Sequence, residues 1–460
     1  MRRKAVQPWV AEACGGRRSI RVVTVFGDVC AAIQEQMAET ATPGVAVAVL
    51  HDGEEQAAGF GVTSTENPLD VTPDTLFQIG SITKTFTGTA AMVLVERGEL
   101  DLDAPVRTYL PDVKLADADV AERVTTRHLL THTGGWEGDH FDDFGSGDDA
   151  LARMVESLAS IPQLTPLGEI WSYNNAGFYL AGRVIEVVTQ SVYERAIQEL
   201  LLGPLGLANT FFFPEDVMTR RFAVGHHRSE EGVPPVARPW PIGRAHHAAG
   251  ALASSVRELV RWGRFHMSDG EGVLSRASLD EMQRSQLHVG SIFDDIGITW
   301  AIAVRNGRRL IAHGGGTNGQ IAFFGFLPDE GAVLTVLTNH QRGGEVVNAA
   351  AEAFGIRDPE RTAVDLDPSE YLGAYTSALA DVELEREDGR VRLVYTPKGG
   401  FPQKDSPPMP GPPPAPVAFY APDRLFVPEG PLKGTEAEFL RDANGRIAWF
   451  RFGGRTMAPR

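Results

Sequence analysis

Cysteine, lysine and long apolar runs are all scarce in this sequence of 460 residues. Its two cysteines, Cys14 and Cys30, are too few for a disulfide framework and stand in no metal-ligand spacing, which favours a reducing compartment. No run of 18 apolar residues occurs, so no transmembrane helix is predicted. The basic N-terminus lacks the continuous apolar segment of a signal peptide. We therefore expect a cytoplasmic protein with a flexible extension at residues 1–22.

Basic residues are also outnumbered by acidic ones. The 60 aspartates and glutamates against 43 lysines and arginines give a net charge of −17, and only six of the basic residues are lysine. This balance argues against nucleic acid and anionic membranes as partners. An apolar share of 43% and a charged share of 22% are typical of a globular protein. We predict a small-molecule partner, no nucleic acid and no membrane, and leave the oligomeric state open.

Residues 23–360 carry both strand and helix patterns. Apolar runs on either side of Asp52-Gly53 and of Asn306-Gly307 predict two β-hairpins. Between them, apolar residues recur with helical spacing and predict several helices. One helix would end at Gly98, which can adopt the left-handed conformation of a helix cap. Another would begin after a serine N-cap at position 254 or 255. Strands near both ends of the region, with helices between, predict an α+β domain. Its antiparallel sheet would be closed by N- and C-terminal strands and flanked by helices.

The character of the chain changes near residue 360, where we predict a domain boundary. Residues 361–460 alternate between apolar and polar side chains, with an Asp388-Gly389 turn. The proline-rich segment 402–416 can be neither a helix nor a central strand. The chain is also longer than one ordinary core supports. Three parts are predicted: the extension 1–22, the α+β domain 23–360 and a small all-β domain 361–460.

The stretch FQIGSITKTFTG, residues 77–88, places Ser81 and Lys84 three positions apart at a predicted helix start. Residues with this spacing are neighbours on a helix, with Cβ atoms about 5–6 Å apart. A serine hydroxyl becomes a nucleophile when a base takes its proton, and a buried amine can be that base. Backbone N–H groups at a helix start also favour negative charge on a substrate oxygen. The alternative is an ordinary helix start with Ser81 as N-cap.

Further motifs follow downstream. The triplet Tyr173-x-Asn175 lies in YNNAGFYLAGRVIE, and His313 opens HGGGTNGQ. These stretches resemble the serine β-lactamase and penicillin-binding-protein superfamily, nearest to its class C-like branch of esterases, D-amino-acid peptidases and transacylases. The resemblance covers residues 26–350 in the family's motif order, and it also includes GVAVAV, FQIGSITKTFT, GELDLDAPVRTYLP, RHLLTHTGG and PLGLANT.

This resemblance implies a fold and a set of roles. The fold is a β-lactamase-like domain, with an antiparallel sheet and an all-helical subdomain, followed by a lipocalin-like β-barrel. Ser81 matches the acylated nucleophile, and Lys84 matches its partner base in S-x-x-K. Tyr173 matches the phenol that shuttles a proton together with Lys84, and Asn175 matches the amide that binds Lys84 and the substrate carbonyl. By position, the backbone N–H groups of Ser81 and Gly316 would hold the oxyanion. Gly315 would belong to the same substrate-binding segment.

At His313 the chain departs from the family pattern. β-Lactamases and penicillin-binding proteins typically carry K-T-G on the strand beside the site, and here the triplet reads His313-Gly314-Gly315. An imidazole that is usually neutral at pH 7 replaces a cation that would bind a β-lactam carboxylate. The change argues against efficient β-lactam hydrolysis, and esterases and peptidases of the family commonly carry it. The glycines would let a substrate backbone lie close to the strand.

Each of these residues also has a structural alternative. Tyr173 alone is typical of a half-buried aromatic residue whose hydroxyl is bonded to a loop. Asn175 is typical of an N-cap for the helix that follows it. His313 could be a strand-end histidine bonded to a neighbour.

Several other features are interpreted as structural. The histidine pairs 226–227 and 246–247 lack a helical metal-binding spacing. His132 is interpreted as a helix-end and turn element, and the acidic segment 142–149 as a solvated loop rather than a calcium site. The aromatic residues Trp136, Phe141 and Phe144 could line an acyl pocket or pack on the surface. The segment KGGFPQKD, 398–405, could reach over the active site.

Together these observations predict a serine hydrolase that acts through an acyl-enzyme. Its substrates would be small esters or amides, including short peptides with D-residues, and no metal or organic cofactor is required. Three alternatives stay open at this point. They are a transacylase or peptide cyclase of the same fold, a β-lactamase, and an acyl-binding protein that does not turn over.

Overall fold

The computed structural model describes residues 19–229, 232–290, 292–408 and 410–460. Of the predicted extension at residues 1–22, the first eighteen residues lie outside this range, and a helix begins at Ser19. The chain divides into two compact units. One, named here the sheet unit, comprises the described residues up to Leu100 with Val188–Arg284 and Gly297–Asp358. The other, named the barrel unit, comprises Asp101–Val187, Ser285–Ile296 and Pro359–Arg460.

The helices and strands are numbered in chain order. The α-helices span Ser19–Thr40 (α1), Thr83–Glu96 (α2), Ala118–Arg123 (α3), Thr126–Leu130 (α4), Ala150–Ser157 (α5), Asn175–Thr189 (α6), Tyr193–Ile197 (α7), Pro214–Val217 (α8), His247–Gly250 (α9), Val256–Met267 (α10), Arg276–Met282 (α11) and Gly343–Ala353 (α12). The strands of the first 360 residues span Gly44–His51 (β1), Glu54–Gly61 (β2), Phe77–Gln78 (β3), Ala253–Ser254 (β4), Leu287–His288 (β5), Asp295–Ile296 (β6), Ala301–Arg305 (β7), Arg308–Thr317 (β8), Gln320–Leu327 (β9) and Ala332–Thr338 (β10). The later strands span Gly373–Thr376 (β11), Ala380–Glu387 (β12), Arg390–Pro397 (β13), Ala415–Pro416 (β14), Ala418–Ala421 (β15), Arg424–Phe426 (β16), Glu436–Arg441 (β17), Ile447–Phe452 (β18) and Arg455–Pro459 (β19).

The sheet unit contains antiparallel strands in the order β2-β1-β10-β9-β8-β7. Both predicted hairpins form, because Asp52-Gly53 and Asn306-Gly307 each adopt two consecutive positive φ angles, between 49° and 78°. Such turns match the twist of the strands that they join. The N-terminal strand β1 pairs with the C-terminal strand β10 along six residues. The predicted closure of the sheet by N- and C-terminal strands is therefore confirmed.

Helices cover both faces of this sheet. On one face, Val29 and Ile33 of α1 and Val346 of α12 join the same apolar cluster as alternate residues of β1. On the other face, α10 approaches so closely that a Cβ on Gly263 would lie 2.7 Å from Val333 of β10. A strand that is buried on both faces needs apolar residues at successive positions, which explains the uninterrupted sequence of β1.

Helix α2 is buried on nearly all sides within the sheet unit. Its Phe86 ring stacks on Trp262 of α10 with the centroids 4.0 Å apart, and the indole N–H of Trp262 donates to Thr85 Oγ1 at 3.0 Å. The helix ends where predicted, because Gly98 follows it at a φ of +72°. The predicted serine cap of α10 is Ser255, whose hydroxyl accepts the Glu258 N–H at 3.4 Å. These contacts hold α2, which carries the S-x-x-K lysine, in one position.

The strands after residue 360 form one antiparallel sheet in the order β14-β13-β12-β11-β19-β18-β17-β16-β15. The first and last strands in this order, β14 and β15, are separated in the chain by Val417 alone, so the sheet is nearly closed. Aromatic residues fill its interior, among them Tyr371, Phe439 and Phe450. The Asp388-Gly389 turn forms as predicted, and among the described residues of the proline-rich segment only those of the short end strand β14 form a strand. A small all-β domain is confirmed.

The barrel unit also contains the helical segment between Asp101 and Val187. There, Thr125 caps α4 and forms a capping box with His128. The three-part division predicted from the sequence stays a prediction, and the two compact units group residues 101–187 and 285–296 with the C-terminal strands. No helix in the described ranges combines the length and the apolar character needed to cross a membrane.

Candidate active site

Ser81 lies in a single 3-10 turn, Gly80–Ile82, that runs directly into α2. Lys84, in the first turn of α2, places its Nζ 3.1 Å from Ser81 Oγ. The same Nζ donates to the carbonyl oxygen of Ala249 at 2.6 Å. The Lys84 side chain is completely buried. Because burial disfavours the charged form of an amine, this position suits a general base beside a hydroxyl nucleophile.

The alternative interpretation of Ser81 as an N-cap is wrong. Ile79 and Ile82 occupy the N-cap positions of the turn and of α2, and neither makes a side-chain capping bond. The Ser81 hydroxyl is instead bonded to Lys84. The serine therefore stands one turn before the helix proper, with its hydroxyl directed to the amine.

The threonines of α2 attach this helix to residues 248–252. The Thr83 hydroxyl donates to the Gly80 carbonyl at 2.7 Å and accepts the N–H of Leu252 at 3.1 Å. The Thr87 hydroxyl donates to the carbonyl of Ala248 at 2.6 Å. The Ala249 carbonyl that binds Lys84 thus lies between two further bonds that join the same two segments, one residue after Ala248 and three residues before Leu252. Buried hydroxyl groups that are fully bonded in this way rigidify their surroundings.

A buried ion cluster anchors the short helix α9 that carries these carbonyl groups. His247, its first residue, places Nδ1 2.6 Å from Glu194 Oε1, and Arg244 Nε donates to the same oxygen at 3.1 Å. Burial acts to raise the pKa of Glu194, but the bonds from His247 and Arg244 outweigh burial and lower this pKa to about 2. One member of the histidine pair 246–247 is therefore a structural partner of a buried carboxylate.

The glycines of β8 make room for the turn that carries Ser81. A Cβ on Gly315 would lie 1.9 Å from the carbonyl oxygen of Ile79, and a Cβ on Gly80 would lie 2.6 Å from the amide nitrogen of Gly316. Gly80 also has a φ of +53°, a conformation that L side chains rarely adopt. The space beside Gly315 is therefore filled by the backbone of Ile79. The sequence predicts a substrate backbone at this place instead. The 3-10 turn and β8 are consequently in direct backbone contact.

His313 precedes these glycines on β8 and is 8% exposed. Its Nδ1 lies 2.6 Å from the carbonyl oxygen of Gly314. Because a carbonyl only accepts, Nδ1 carries the proton and Nε2 is the acceptor nitrogen of the neutral ring. Burial, followed by the nearby charge of Lys84, lowers the pKa of His313 to about 4. His313 is therefore neutral at pH 7, as the H-G-G triplet predicted.

Tyr173 lies in the barrel unit, in the loop that leads into α6. Its backbone N–H donates to the carbonyl of Gly454 at 2.8 Å. The ring stacks on His132 with the centroids 4.5 Å apart, and the guanidinium carbon of Arg455 lies 4.8 Å from the ring centroid. His132 itself has a φ of +58° and accepts the N–H of Asn174 at Nδ1, at 2.9 Å. The turn element predicted at His132 thus packs directly against the candidate phenol.

Asn175 is the first residue of α6 and is buried. Its Nδ2 donates to Asp139 Oδ1 at 2.9 Å. The cap of α6 is the neighbouring Asn174, whose Oδ1 accepts the N–H of Gly177 at 2.7 Å. The N-cap alternative for Asn175 is therefore wrong by one position, since the residue before it makes the capping bond.

The structure gathers Ser81, Lys84, His313, Gly315 and Gly316 within the sheet unit and places Tyr173 and Asn175 in the barrel unit. Nothing in the sequence pattern points to Asp139 or Arg455, which contact the second set. Arg455 Nε donates to Asp139 Oδ2 at 3.0 Å, across 316 positions of the chain. A single arginine within a strand forms no motif with its neighbours, so the sequence alone does not single it out.

The other singled-out residues have identifiable positions. His226 donates from Nδ1 to the carbonyl of Asn339 at 2.7 Å and accepts the Thr65 N–H at Nε2. Trp136 is buried in the barrel unit. Among the described residues, no group of three or more histidine, cysteine, aspartate or glutamate side chains could hold a metal ion.

The segment 398–405 contacts the loop that precedes α5. The rings of Phe141 and Phe401 are 5.2 Å apart, and Lys404 Nζ lies 2.8 Å from Asp142 Oδ2. The acidic segment 142–149 thus has at least one ion-pair partner within the barrel unit. Whether these loops line an acyl pocket stays a prediction.

Comparison with known proteins supports the same interpretation of the chain. The Beta-lactamase family model matches residues 29–355. Penicillin-binding protein 4 of Amycolatopsis lactamdurans is 34% identical over 345 residues, which are 71% of this chain and 90% of that protein. Esterase EstB of Burkholderia gladioli is 33% identical over 230 residues, 46% of this chain and 57% of that protein. The crystal structure of SurE with D-Leu has a TM-score of 0.73 at 23% identity, covering 95% of this chain and 99% of that one.

The family match includes the segments that carry Ser81, Lys84, Tyr173 and His313. The SurE match extends the similarity of fold to the C-terminal strands. On these grounds, the chain belongs to the β-lactamase family and is a β-lactamase-related serine hydrolase.

Proposed function

We propose that this enzyme hydrolyses small esters or amides through an acyl-enzyme on Ser81. The observation that carries the proposal is the 3.1 Å distance between Ser81 Oγ and the buried Lys84 Nζ. A hydroxyl that is bonded to a buried amine is the arrangement of an activated nucleophile. The bond from Lys84 to Ala249 fixes the direction from which the amine approaches the hydroxyl.

In the first step, Ser81 Oγ attacks the carbonyl carbon of the substrate while its proton passes to the Lys84 amine. The negative oxygen of the tetrahedral intermediate is held by the backbone N–H groups of Ser81 and Gly316. The contact between Gly80 and the Gly316 backbone supports this pairing of donors. Collapse of the intermediate expels the alcohol or amine, which takes up the proton. Water then attacks the acyl group by the same route and regenerates the hydroxyl.

Tyr173 and Asn175 complete the proposed centre. Tyr173 would relay the proton between Lys84 and the leaving group, and Asn175 would orient the substrate carbonyl. Support comes from the family match, which spans both motifs in one continuous range. The contacts of these residues within the barrel unit hold both side chains in defined positions.

Two observations favour esters and amides as the substrate class. The relative from Burkholderia gladioli is named an esterase. His313 is neutral at pH 7, so the β8 strand presents no cation at the position where related enzymes carry K-T-G. The crystal structure of the similarly folded SurE contains D-Leu, which supports including acyl groups that end in a D-residue.

Stopped-flow mixing with p-nitrophenyl acetate tests the proposal. We expect a burst of p-nitrophenol equal to the enzyme concentration, followed by steady turnover, and we expect Ser81→Ala to lose both while retaining its circular-dichroism spectrum. Turnover by Ser81→Ala at the wild-type rate would contradict the proposal. A burst without turnover would indicate an acyl-binding protein. A product that retains an added amine would indicate a transacylase or peptide cyclase.

A further inference from the structure

The hairpin formed by β18 and β19 contacts three consecutive residues of the loop that carries Tyr173. Arg451 Nη1 donates to the carbonyl of Trp171 at 2.7 Å, and the N–H of Thr456 donates to Ser172 Oγ at 3.1 Å. The Tyr173 N–H donates to the carbonyl of Gly454 at 2.8 Å. The C-terminal strands therefore bind the backbone on which the candidate phenol stands.

One side chain of this hairpin, Arg455, contacts Tyr173 directly and is linked to Asn175 through Asp139. Its guanidinium carbon lies 4.8 Å from the centroid of the Tyr173 ring. Its Nε and Nη2 donate to the two carboxylate oxygens of Asp139 at 3.0 and 3.2 Å. Asp139, whose side chain is 1% exposed, also accepts the amide hydrogen of Asn175. The Arg455 guanidinium thus lies over the ring of Tyr173, and the Asp139 carboxylate links it to Asn175.

We propose that Arg455 is a positioning residue that sets the orientation and the electrostatic surroundings of Tyr173 and Asn175. The inference rests on the proposed function, because it assigns a role in proton transfer to residues outside the nucleophile pair. It also gives the C-terminal domain a part in catalysis.

The physical basis is the effect of a fixed cation on a phenol. A positive charge beside the ring favours the phenolate form, and a phenol that gives up its proton more readily is a better relay. Asp139 holds the planar guanidinium in a bidentate pair, which fixes its distance from the ring. Burial acts to lower the pKa of Arg455, and Asp139 outweighs burial and raises it, so the guanidinium stays charged. Other titratable groups near this pair are His132, Glu137, Tyr179 and Tyr395.

The barrel offers a matched control in Arg361. Its guanidinium lies 4.6 Å from the centroid of the Tyr420 ring and forms a bidentate pair with Glu436, at 2.6 and 3.0 Å. The side chains of Arg361 and Arg455 are similarly exposed, at 26% and 33%. Removal of either arginine therefore breaks the same kind of ion pair and cation–π contact in the same domain, but only Arg455 contacts Tyr173.

The experiment compares Arg455→Met, Arg455→Lys, Arg361→Met and the double variant Asp139→Asn/Arg455→Met, in the full chain with p-nitrophenyl acetate. For Arg455→Met we expect kcat to fall by roughly tenfold to a hundredfold, with KM nearly unchanged. The ascending limb of its pH–kcat profile should move to higher pH by about one unit. Arg455→Lys should recover part of that shift, and Arg361→Met should keep the wild-type profile.

The double variant separates positioning from stability. Arg455→Met leaves the Asp139 carboxylate buried and unpaired, and Asp139→Asn removes that charge while keeping an acceptor oxygen for Asn175. We expect the double variant to recover thermal stability but to keep the low kcat and the displaced profile. Recovery of wild-type kcat in the double variant, or a wild-type profile in folded Arg455→Met, would overturn the role of Arg455. Ser81→Ala in the same assay separates the two proposals: its loss of activity leaves the proposed function standing whatever the Arg455 variants show, whereas turnover by it would overturn both.

Discussion

The Lys84 amine and the carbonyl oxygen of Ala249 are 2.6 Å apart, in a part of the sheet unit from which solvent is excluded. This bond and the contact with Ser81 Oγ at 3.1 Å define the geometry of the amine. Both partners of the amine belong to the protein itself. Its position is a property of the fold and not of the bound substrate.

Replacement of Lys84 tests whether the amine acts as a base. Lys84→Met keeps a long unbranched side chain without an amine, and Lys84→Arg supplies a permanent positive charge that cannot accept a proton. We expect both to lower kcat for p-nitrophenyl acetate by about 10²–10⁴-fold, the usual contribution of a general base. Melting curves of both variants serve as the folding control. Turnover by Lys84→Arg within about tenfold of the wild type would argue for a purely electrostatic role of Lys84.

Two adjacent glycines of β8 should differ sharply in their tolerance of alanine. A Cβ on Gly315 would lie 1.9 Å from the Ile79 carbonyl, whereas a Cβ on Gly314 would lie 3.9 Å from its nearest neighbour, the Ala322 carbonyl. We expect Gly315→Ala to lose about 1–3 kcal/mol of unfolding free energy and most esterase activity, because the turn that carries Ser81 must shift. Gly314→Ala is the control and should resemble the wild type. Urea unfolding and steady-state kinetics measure both, and equal behaviour of the two variants would contradict the packing described for Gly315.

Acid should destabilise the sheet unit through His266. Burial, followed by the charge of Arg276, lowers the pKa of this residue to about 3. An unfolded histidine, with a pKa of about 6.5, binds a proton first, so stability is full above that pH and declines as the pH falls towards 3. Between pH 7.5 and 4.5 we expect a loss of about 2–3 kcal/mol from this one residue.

His266→Phe provides the test for that acid sensitivity. The ring is surrounded by Trp262, Trp300 and Phe326, so an apolar ring suits its surroundings. The change in unfolding free energy between pH 7.5 and 4.5, from urea titrations, should be smaller in the variant by about 2–3 kcal/mol. Comparing the two pH values within each protein removes any packing cost of the larger ring. Identical pH dependence in both proteins would contradict the prediction.

Glu194 should be important for stability and for turnover. Glu194→Gln removes the charge that pairs with His247 and Arg244 in a buried cluster, where breaking a pair costs about 3–5 kcal/mol. Esterase activity should also fall, because α9 carries the carbonyl that binds Lys84. The matched control is Glu199→Gln, since Glu199 pairs with Arg195 at the exposed surface, where solvent screening leaves such a pair little effect on stability. Equal unfolding midpoints for the two variants would show that the buried cluster is dispensable.

Nitrocefin should be a poor substrate. The neutral His313 offers no fixed charge to the carboxylate of a β-lactam, which loses an ion pair in the bound state. We expect kcat/KM for nitrocefin to be at least about a hundredfold below that for p-nitrophenyl acetate, equivalent to a loss of about 3 kcal/mol. Parallel assays on one enzyme preparation provide the comparison. Efficient nitrocefin turnover would show that carboxylate binding does not depend on this strand position.

Local sequence patterns predicted the features whose partners are close in the chain. The Asp52-Gly53 turn, the cap at Gly98 and the Ser81–Lys84 pair all depend on residues within a few positions of each other. Backbone preferences and helical spacing decide such contacts, and both can be read from a short stretch of sequence. The nearly closed C-terminal sheet was predicted as all-β from its alternation, since each strand shows one face to an aromatic core.

Long-range contacts were not predictable in the same way. The Asp139–Arg455 pair joins residues that are 316 positions apart, and neither residue has a neighbour pattern that specifies the other. The reason for Gly315 was also misjudged, because the close approach of Ile79 arises from the packing of a turn on a strand. Such contacts are set by the relative position of whole elements, which a single sequence does not encode locally.

The hydrogen bond between Tyr173 and Gly454 has a consequence for biosynthesis. The ribosome adds Gly454 about 280 residues after Tyr173, which corresponds to a delay on the order of 15 to 60 s at ordinary elongation rates. Throughout that interval the nascent loop at Tyr173 lacks its C-terminal anchors, although the Ser81 turn and Lys84 have already been made. The candidate nucleophile and the candidate proton relay are thus synthesised at different times, and we expect an incomplete chain on the ribosome to hydrolyse esters poorly.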